Sequence, residues 1–350
     1  MGDAYLLRAT DRRYAEEGAC GGAVPALLRY ALEEGLVEAV VCVEEGTDPL
    51  DPRPIVVDDP DDVPAGTYHV FHLPLSTVAT SVVEGGTKPV AVTCRPCDST
   101  ALSELEACGA LPKGSTLKVG LNCGGTFHPR TIAEILEHLG REPSELLGET
   151  IEKGRLRLLF EDGIEEIPLK DLESEGRGRR EACRRCEVSV PRDADVACGN
   201  WGVPGELSGK YTLVEVLSEP GRRLVEGAIE AGFVTARPAP EDALSVRDLM
   251  ESRLAEMAHE AESVTRFDPS RCVRCLGCRF VCPVCAACEE EGCREFAGRG
   301  VPPSPVWLER AAGCVAPQCV DCGACSDVCP AGIDPSPQSC NSTTSPSSRT

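Results

Sequence analysis

The sequence has few aromatic residues, no long apolar run and a shortage of basic residues. Aromatic residues make up only 4% of the 350 residues, so the core must be mostly aliphatic. No apolar run approaches the roughly 20 residues that a bilayer-spanning helix needs, and we expect no membrane span. Residues 1–10 also lack the charged and apolar regions of a secretory signal, which predicts a cytoplasmic location.

The charge balance is strongly acidic. Asp and Glu total 57 against 35 Lys and Arg, which gives a formal net charge of −22. Nucleic acid is therefore excluded as a partner, because a nucleic-acid binder has to neutralise phosphates. The five histidines show no ligand spacing, and we assign none of them a catalytic role. One basic patch stands out within residues 177–185, with Arg177, Arg179, Arg180, Arg184 and Arg185.

Cysteine, in contrast, is abundant, with 22 residues. Thiols stay reduced in the cytoplasm, so dense cysteine indicates bound metal and not disulfides. A Cys-x2-Cys-x2-Cys-x3-Cys-Pro run occurs twice, with the spacing of bacterial-type [4Fe–4S] ferredoxins. Paired zinc knuckles are the alternative, but zinc sites usually set two Cys-x2-Cys pairs apart. The two runs are Cys272, Cys275, Cys278, Cys282 with Pro283, and Cys319, Cys322, Cys325, Cys329 with Pro330.

The two runs together predict two crossed ligand sets. In two-cluster ferredoxins the last cysteine of each run binds the cluster of the other run. We therefore call Cys272, Cys275, Cys278 and Cys329 the first quartet, and Cys319, Cys322, Cys325 and Cys282 the second quartet. Four more cysteines in this region could hold a further cluster or a zinc ion, namely Cys285, Cys288, Cys293 and Cys314.

Hydrophobic periodicity predicts strand–loop–helix units upstream of these runs. Residues 88–93 and 117–122 have the pattern of buried strands, and each is followed by a cysteine-containing loop and a helix. Successive units of this kind favour a parallel or mixed sheet, with sites at the carboxyl ends of its strands. Cys97 and Cys123 lie at that edge.

A separate Cys-x2-Cys pair, Cys183 and Cys186, follows a predicted hairpin at residues 155–168. Such a pair is typical of a zinc, redox or iron–sulfur fragment, and its other ligands must come from elsewhere in the chain. Cys97 and Cys123 are the natural candidates because both follow buried strands. We call Cys97, Cys123, Cys183 and Cys186 the third quartet.

Two glycine-containing turns are candidate binding loops. Gly21 and Gly22 precede a predicted helix that begins near Ala23, and a helix start offers unpaired N–H groups to a phosphate or a flavin edge. A tight packing turn is the alternative. The second turn, Gly199 and Asn200, follows a short predicted strand.

In their order and number, these elements resemble the beta subunits of coenzyme F420-reducing hydrogenases and F420-dependent formate dehydrogenases. The resemblance extends over residues 18–333, and Arg95 and Asp98 depart from the Thr and Gln typical of the family. The two-cluster extension belongs to the formate dehydrogenase version, which is the more similar. The matching stretches are residues 20–28 (CGGAVPALL), 95–102 (RPCDSTAL), 120–123 (GLNC), 183–186 (CRRC) and 194–202 (ADVACGNWG).

The resemblance implies an FAD-containing subunit that passes electrons between iron–sulfur clusters and coenzyme F420, its substrate. It implies a larger catalytic subunit as partner, which would oxidise formate. It also implies that the third quartet binds a [4Fe–4S] cluster close to the flavin. The flavin pocket would be lined by Gly21, Gly22, Ala23, Gly199 and Asn200.

Arg179 and Arg180 in the basic patch are then candidates to hold the F420 tail or the FAD pyrophosphate, because guanidinium groups match phosphate and carboxylate geometry. A solvated loop that offsets cluster charge is the alternative. For the whole chain, one alternative is the same module in a hydrogenase, sulfite reductase or heterodisulfide reductase complex. Another is an electron-transfer adaptor without F420 chemistry.

The expected fold class is thus a mixed α/β (α+β) flavin-binding domain followed by a ferredoxin-like domain with two [4Fe–4S] clusters. The first domain is expected at residues 1–240 and a linker helix at 241–266. The ferredoxin-like domain is expected at residues 267–335, and the Ser/Thr/Pro-rich residues 336–350 are expected to be disordered.

Overall fold

The computed structural model describes residues 3–46, 48–66, 70–83, 86, 88–259, 269–284 and 319–335. Within these ranges the strands are β1 (Ala4–Ala9), β2 (Ala39–Glu44), β3 (Arg53–Val57), β4 (Val90–Cys94), β5 (Thr116–Leu121), β6 (Gly148–Glu152), β7 (Arg155–Phe160), β8 (Gly163–Pro168), β9 (Val196–Gly199), β10 (Thr212–Val216) and β11 (Val234–Pro238). The α-helices are α1 (Arg12–Glu17), α2 (Ala23–Glu33), α3 (Leu75–Val83), α4 (Pro96–Ala107), α5 (Pro129–Leu139), α6 (Leu169–Ser174), α7 (Glu181–Arg184), α8 (Glu219–Glu230), α9 (Ala243–His259), α10 (Gly277–Val281) and α11 (Ala324–Asp327). The further cysteines Cys285, Cys288, Cys293 and Cys314 and the predicted tail lie outside the described residues.

Eight of these strands form one mixed sheet in the order β11-β1-β10-β9-β5-β4-β2-β3. Its centre is parallel, because β2, β4, β5 and β9 run in the same direction. The strands outside this centre, β3 on one side and β10, β1 and β11 on the other, pair in antiparallel fashion. The predicted mixed sheet is confirmed, and the carboxyl ends of β4, β5 and β9 share one edge.

Helices cover both faces of this sheet, which explains why its central strands are continuous apolar runs. All five residues of β4 are buried. On one face Leu27 of α2 and Leu224 of α8 pack with Val119 of β5. On the other face Leu102 of α4 packs with Val92 of β4. Truncating a fully buried leucine such as Leu27 to alanine typically costs about 2–5 kcal/mol of stability.

Residues 48–64 are rich in Pro and Asp, and this composition predicts a surface excursion. It contains the edge strand β3, in which Pro54 lies opposite Val43 of β2. Proline cannot donate a ladder hydrogen bond, so it is tolerated in an edge strand. The composition that suggested a loop is therefore also compatible with a sheet edge.

A second, three-stranded sheet has the order β6-β7-β8. The predicted hairpin corresponds to β7 and β8, and β6 adds a third antiparallel strand. Leu156, Leu158 and Phe160 alternate along β7 toward a core that they share with Ile132 and Leu136 of α5.

Helix α9 lies within residues 241–266, where a linker helix is expected, and its role as a linker stays a prediction. The apolar spacing of Val246, Leu249 and Met257 is typical of an amphipathic helix that buries these side chains, but they are 41%, 51% and 36% exposed. Arg247 is buried instead and forms an ion pair with Glu215 of β10. None of the helices in the described ranges combines the length and apolar character needed to cross a bilayer.

Candidate functional site

The four members of the third quartet lie around one cavity. Cys97 is in the first turn of α4, directly after β4, and Cys123 follows β5. Because β4 and β5 are parallel neighbours, these two cysteines are brought to the same edge. Cys183 in α7 and Cys186 just beyond it line the same cavity of about 280 Å³ as Cys97 and Cys123. The prediction that the quartet comes together agrees with this geometry, while its role as a ligand set stays a prediction.

Two of these sulfur atoms have hydrogen-bond donors from the protein. The Gly125 amide donates to Cys123 Sγ at 3.4 Å. The Arg180 guanidinium donates to Cys183 Sγ at 3.5 Å, and the Thr126 hydroxyl lies 3.1 Å from the same sulfur. Donors around sulfur stabilise thiolate ligands and tune the potential of a bound cluster.

Burial raises the pKa of three cysteines of this quartet, Cys97, Cys123 and Cys186. It raises the pKa of Cys97 well above the usual range, and the negative charges of Asp98 and Cys322 act in the same direction. Burial also raises the pKa of Cys123, and that of Cys186 to about 12. Such thiols are neutral unless a metal cation replaces the proton.

His72 lies in the same cavity and was missed by sequence reasoning. Its Nε2 is 4.0 Å from Cys97 Sγ. Burial lowers its pKa well below the usual value, and the positive charges of Arg180 and Arg95 lower it further, so the imidazole is neutral. No spacing signal could have found His72, because it is isolated in sequence from every cysteine that lines the cavity.

Arg95 and Asp98, the two departures from the family pattern, form a buried network at the start of α4. Asp98 accepts hydrogen bonds from the Arg95 amide at 3.4 Å and the Ser76 hydroxyl at 3.1 Å. The Arg95 guanidinium donates to the Phe71 carbonyl, next to His72. Both residues therefore shape the wall that holds Cys97.

The first quartet also comes together in the structure. Its four cysteines surround a small cavity of about 20 Å³ beside Ile333. Burial and the charges of the other three cysteines, Cys272, Cys275 and Cys329, raise the pKa of Cys278 to about 11. Cys329 comes from the other run, as the crossed arrangement requires.

The second quartet shows the reciprocal crossing. Burial raises the pKa of Cys325, and the charges of Cys322, Cys282 and Cys319 raise it further. Burial raises the pKa of Cys319 and Cys322 as well, and the charge of Cys282 acts in the same direction, which is consistent with a position of Cys282 near the second run. Its role as a cluster ligand remains a prediction.

The loops of the two cysteine runs share a left-handed backbone conformation at two corresponding positions. Arg274 and Leu276 have φ values of 61° and 63°, and the corresponding Asp321 and Gly323 have 55° and 71°. These left-handed residues curl each loop, so that the Arg274 amide points at Cys272 Sγ at 3.4 Å. Residues other than glycine adopt this conformation rarely, and strain of this kind concentrates at functional loops.

Another cavity, of about 110 Å³, opens where β5 and β9 end, and we call it the second cavity because it adjoins the cavity of the third quartet. Gly199 and Asn200 line it as predicted, although their contact with a flavin is untested. Gly124 lines both this cavity and that of the third quartet. The other lining residues include Cys20, Val24, Asn122, Ile151 and Trp201.

Gly21, Gly22 and Ala23 do not line this second cavity. A Cβ on Gly21 would lie 2.1 Å from the Lys210 carbonyl oxygen, and one on Gly22 would lie 2.0 Å from that of Tyr14. Both glycines also have positive φ values, 80° and 69°. Ala23 is fully buried. The geometry thus favours the packing-turn interpretation over direct flavin contact for these three residues.

Asn122 is a further functional candidate in the second cavity. The backbone N–H of Asn122 donates to the Cys198 carbonyl at 2.8 Å, and the backbone N–H of Cys123 donates to the Ser189 carbonyl at 2.9 Å. These bonds place two successive residues on the walls of two different cavities. The Asn122 Oδ1 atom is buried without a hydrogen-bond partner among the described residues. Buried polar atoms are usually satisfied, so this acceptor points to a ligand.

Arg179 and Arg180 make contacts within the protein. Arg179 pairs with Glu173 at 2.6 Å and donates to the Gly124 carbonyl at 3.0 Å. Arg180 pairs with Asp327 of α11. Their exposed fractions are only 7% and 2%. This placement favours charge compensation near the cysteines over binding of a flavin or F420 phosphate, and neither arginine belongs to a solvated loop.

Comparison with known proteins identifies two matching segments of one family, described as "Coenzyme F420 hydrogenase/dehydrogenase, beta subunit". Residues 4–79 match the N-terminal part of this family, and residues 87–242 match its C-terminal part. The matches span β1 through β11 and include the third quartet and the residues that line the second cavity. They end before the first and second quartets.

Two relatives extend the similarity through most of the chain. The F420-dependent formate dehydrogenase 1 subunit beta of Methanococcus maripaludis is 34% identical over 87% of this chain and 82% of its own length. The F420-dependent formate dehydrogenase subunit beta of Methanocaldococcus jannaschii is 33% identical over 94% of this chain and 90% of its own length. Among solved structures, a chain of the F420-reducing [NiFe] hydrogenase complex from Methanosarcina barkeri has the same fold, with a TM-score of 0.66 at 22% identity. That match covers 74% of this chain and 91% of the hydrogenase chain.

Proposed function

Because this chain belongs to the coenzyme F420 hydrogenase/dehydrogenase beta subunit family, we propose that it is the F420-reactive, electron-transferring subunit of an F420-dependent formate dehydrogenase. In this role it is an oxidoreductase subunit. Electrons pass between iron–sulfur clusters, a bound FAD and coenzyme F420, and a larger partner protein in the same complex oxidises formate.

The observation that carries this proposal is the shared wall between the two cavities. Gly124 lines both, with Cys123 on one side and Asn122 on the other. A cluster held by the third quartet would therefore lie next to a flavin in the second cavity. Cys322 of the second quartet lines the third quartet's cavity as well, which supports a continuous order of redox groups from the first quartet to the flavin.

The residues of the third quartet suit an iron–sulfur cluster. Their thiols line a cavity that is large enough for a group of several atoms, and not only for a single metal ion. Two protein donors, from Gly125 and Arg180, reach the sulfur atoms of Cys123 and Cys183, and the Thr126 hydroxyl lies within hydrogen-bond distance of Cys183 Sγ. Arg180 also supplies a positive charge, which compensates the negative charge of a thiolate-bound cluster.

The second cavity suits the edge of a flavin ring. Asn122 Oδ1 is a buried acceptor that a ring N–H could satisfy, and it lies on the wall of this cavity together with Gly124 and Gly199. When bound, FAD supplies the exchange between single electrons and a hydride that connects one-electron clusters to F420. The chain's own task is to orient the ring with Asn122 and Trp201 and to keep it against the Gly124 wall.

The extent of similarity supports formate dehydrogenase over hydrogenase as the partner system. The two formate dehydrogenase relatives match 87% and 94% of this chain, so their similarity reaches the C-terminal cysteine runs. The solved hydrogenase chain covers 74%.

The first experiment determines the cofactors. Iron, sulfide, zinc and flavin would be measured in anaerobically purified protein, with about twelve irons expected from three [4Fe–4S] clusters, or about sixteen with a further cluster. Zinc in place of iron would support the zinc alternative. A chemical reductant should then bleach the F420 absorbance through this protein. Absence of bound flavin together with no F420 turnover would refute the proposal.

The second experiment identifies the partner system. Formate should bleach F420 only when the protein is combined with its larger subunit. Bleaching by hydrogen and not by formate would instead indicate a hydrogenase-type partner. Transfer of electrons from the partner to another acceptor, with F420 unreduced, would favour the electron-transfer adaptor.

A further inference from the structure

Arg180 connects two cysteine-bearing parts of the molecule that are far apart in sequence. On one side its Nη1 donates to Thr126 Oγ1 at 3.2 Å and to Cys183 Sγ at 3.5 Å. On the other side its Nη2 donates to the Cys322 carbonyl at 2.8 Å, and its Nε to Asp327 Oδ2 at 2.6 Å. Every nitrogen of one guanidinium group is therefore used, and the group touches both the third and the second quartet.

The packing around Arg180 is too close to be a loose surface contact. Arg180 is only 2% exposed. A Cβ on Gly323 would lie 2.3 Å from Ala182 Cβ and 3.2 Å from Arg180 Nη2. The loop of the second quartet thus comes against α7, the helix that carries Cys183. A second ion pair between the same parts joins Arg185 to Asp334 at 2.9 Å.

The charge of Arg180 is retained in this buried position. Arginine stays protonated at physiological pH, and among the described residues Asp327 is the carboxylate that pairs with Arg180. The same cation also contacts Cys183 Sγ and the Cys322 carbonyl. A buried cation between two negatively charged groups lowers the repulsion between them, and the interaction is stronger here than at an exposed site.

We propose that Arg180 is a positioning residue that couples the redox groups of the second and third quartets, holding them at a fixed separation and raising the reduction potential of both. This inference rests on the proposed iron–sulfur clusters. It assigns Arg180 to the junction between two clusters and not to F420 or the FAD pyrophosphate. Reduction of one cluster adds negative charge beside the other, and Arg180 limits the resulting penalty on the second electron.

The test uses redox titration and electron paramagnetic resonance of the full-length, cluster-loaded protein. In Arg180→Gln we expect both clusters to titrate at more negative potentials than in the wild type. We also expect the spin–spin broadening between them in the fully reduced protein to weaken. Arg180→Lys keeps the charge but loses the forked contacts, so its potentials should return toward the wild-type values while the broadening stays weaker.

Arg247→Gln is the matched control, because Arg247 is 4% exposed and also ion-paired, to Glu215 and Asp248. It should change neither the cluster potentials nor the broadening. Unchanged potentials and broadening in Arg180→Gln would overturn the proposal. If Arg180→Gln assembles no clusters, an Arg180→Lys protein identical to the wild type in both measurements would overturn it as well. Neither readout needs flavin or F420, so failure of F420 reduction is distinguished from failure of this inference.

Discussion

The side chain of Asn122 packs directly against Gly199, across the neighbouring parallel strands β5 and β9. A Cβ on Gly199 would lie 2.5 Å from Asn122 Nδ2 and 2.9 Å from Asn122 Cβ. The two strands are held in register here, with Leu121 opposite Cys198. The glycine therefore sets the position of the Asn122 side chain at the wall of the proposed flavin cavity.

Gly199→Ala should weaken FAD binding without loss of iron. The Gly199 backbone does not require a positive φ, so alanine meets only the contact with Asn122, which has to move. Flavin and iron per chain would be measured together, and FAD binding is expected to fall severalfold. Gly205→Ala is the control, because a Cβ there meets no atom within 4 Å. Equal flavin content in the two variants would show that the Asn122 position does not matter.

Asn122→Leu should have opposite effects on the flavin-free and flavin-bound protein. It removes a buried acceptor that has no partner among the described residues, so the flavin-free protein should be unchanged or slightly more stable. It also removes the proposed hydrogen bond to the ring, and FAD should bind about tenfold more weakly, or ~1.4 kcal/mol. Thermal unfolding of the flavin-free protein and FAD titration measure the two effects. Unchanged FAD affinity would remove Asn122 from the proposed site.

The sequence predicted the features that depend on local patterns. The strands that became β4 and β5 are continuous apolar runs, and parallel pairing then brings Cys97 and Cys123 to one edge. The crossed quartets followed from cysteine spacing in the same way. In each case a short stretch of sequence contains the whole signal.

Features decided by contacts between distant residues could not be predicted. Arg180 was a candidate to hold the F420 tail or the FAD pyrophosphate, with a solvated loop that offsets cluster charge as the alternative. Its partner Asp327 lies 147 positions away, and no local pattern indicates that pair. The orientation of α9 is a similar case, because the buried pair of Arg247 and Glu215 outweighs an apolar stripe that ends up exposed. His72 has no sequence signal of any kind.

Cys97→Ala should remove one cluster and leave the other two. Cys97 lines the third quartet's cavity, so about four irons per chain should be lost, as measured by iron analysis of anaerobically purified protein. F420 reduction by a chemical reductant should fall strongly, because the group next to the flavin is missing. Cys108→Ala is the control, since Cys108 is exposed and lines neither the third quartet's cavity nor the second cavity. Equal iron content in the two variants would contradict the ligand role of Cys97.

Gly323→Ala should loosen the contact between the second quartet's loop and α7. This effect should exceed the effect that the strained backbone conformation of the new alanine would have by itself. Gly323 and Gly332 have similar φ values, 71° and 61°, so alanine costs each about 1–2 kcal/mol for the left-handed conformation. Only at Gly323 does the new methyl group also meet a neighbour, 2.3 Å from Ala182 Cβ, whereas a Cβ on Gly332 meets nothing within 4 Å. Iron release to a chelator should therefore be clearly faster in Gly323→Ala than in Gly332→Ala. Equal rates would mean that the loop moves away from α7 at no cost, and the close contact between the second and third quartets would then not be a fixed feature of the molecule.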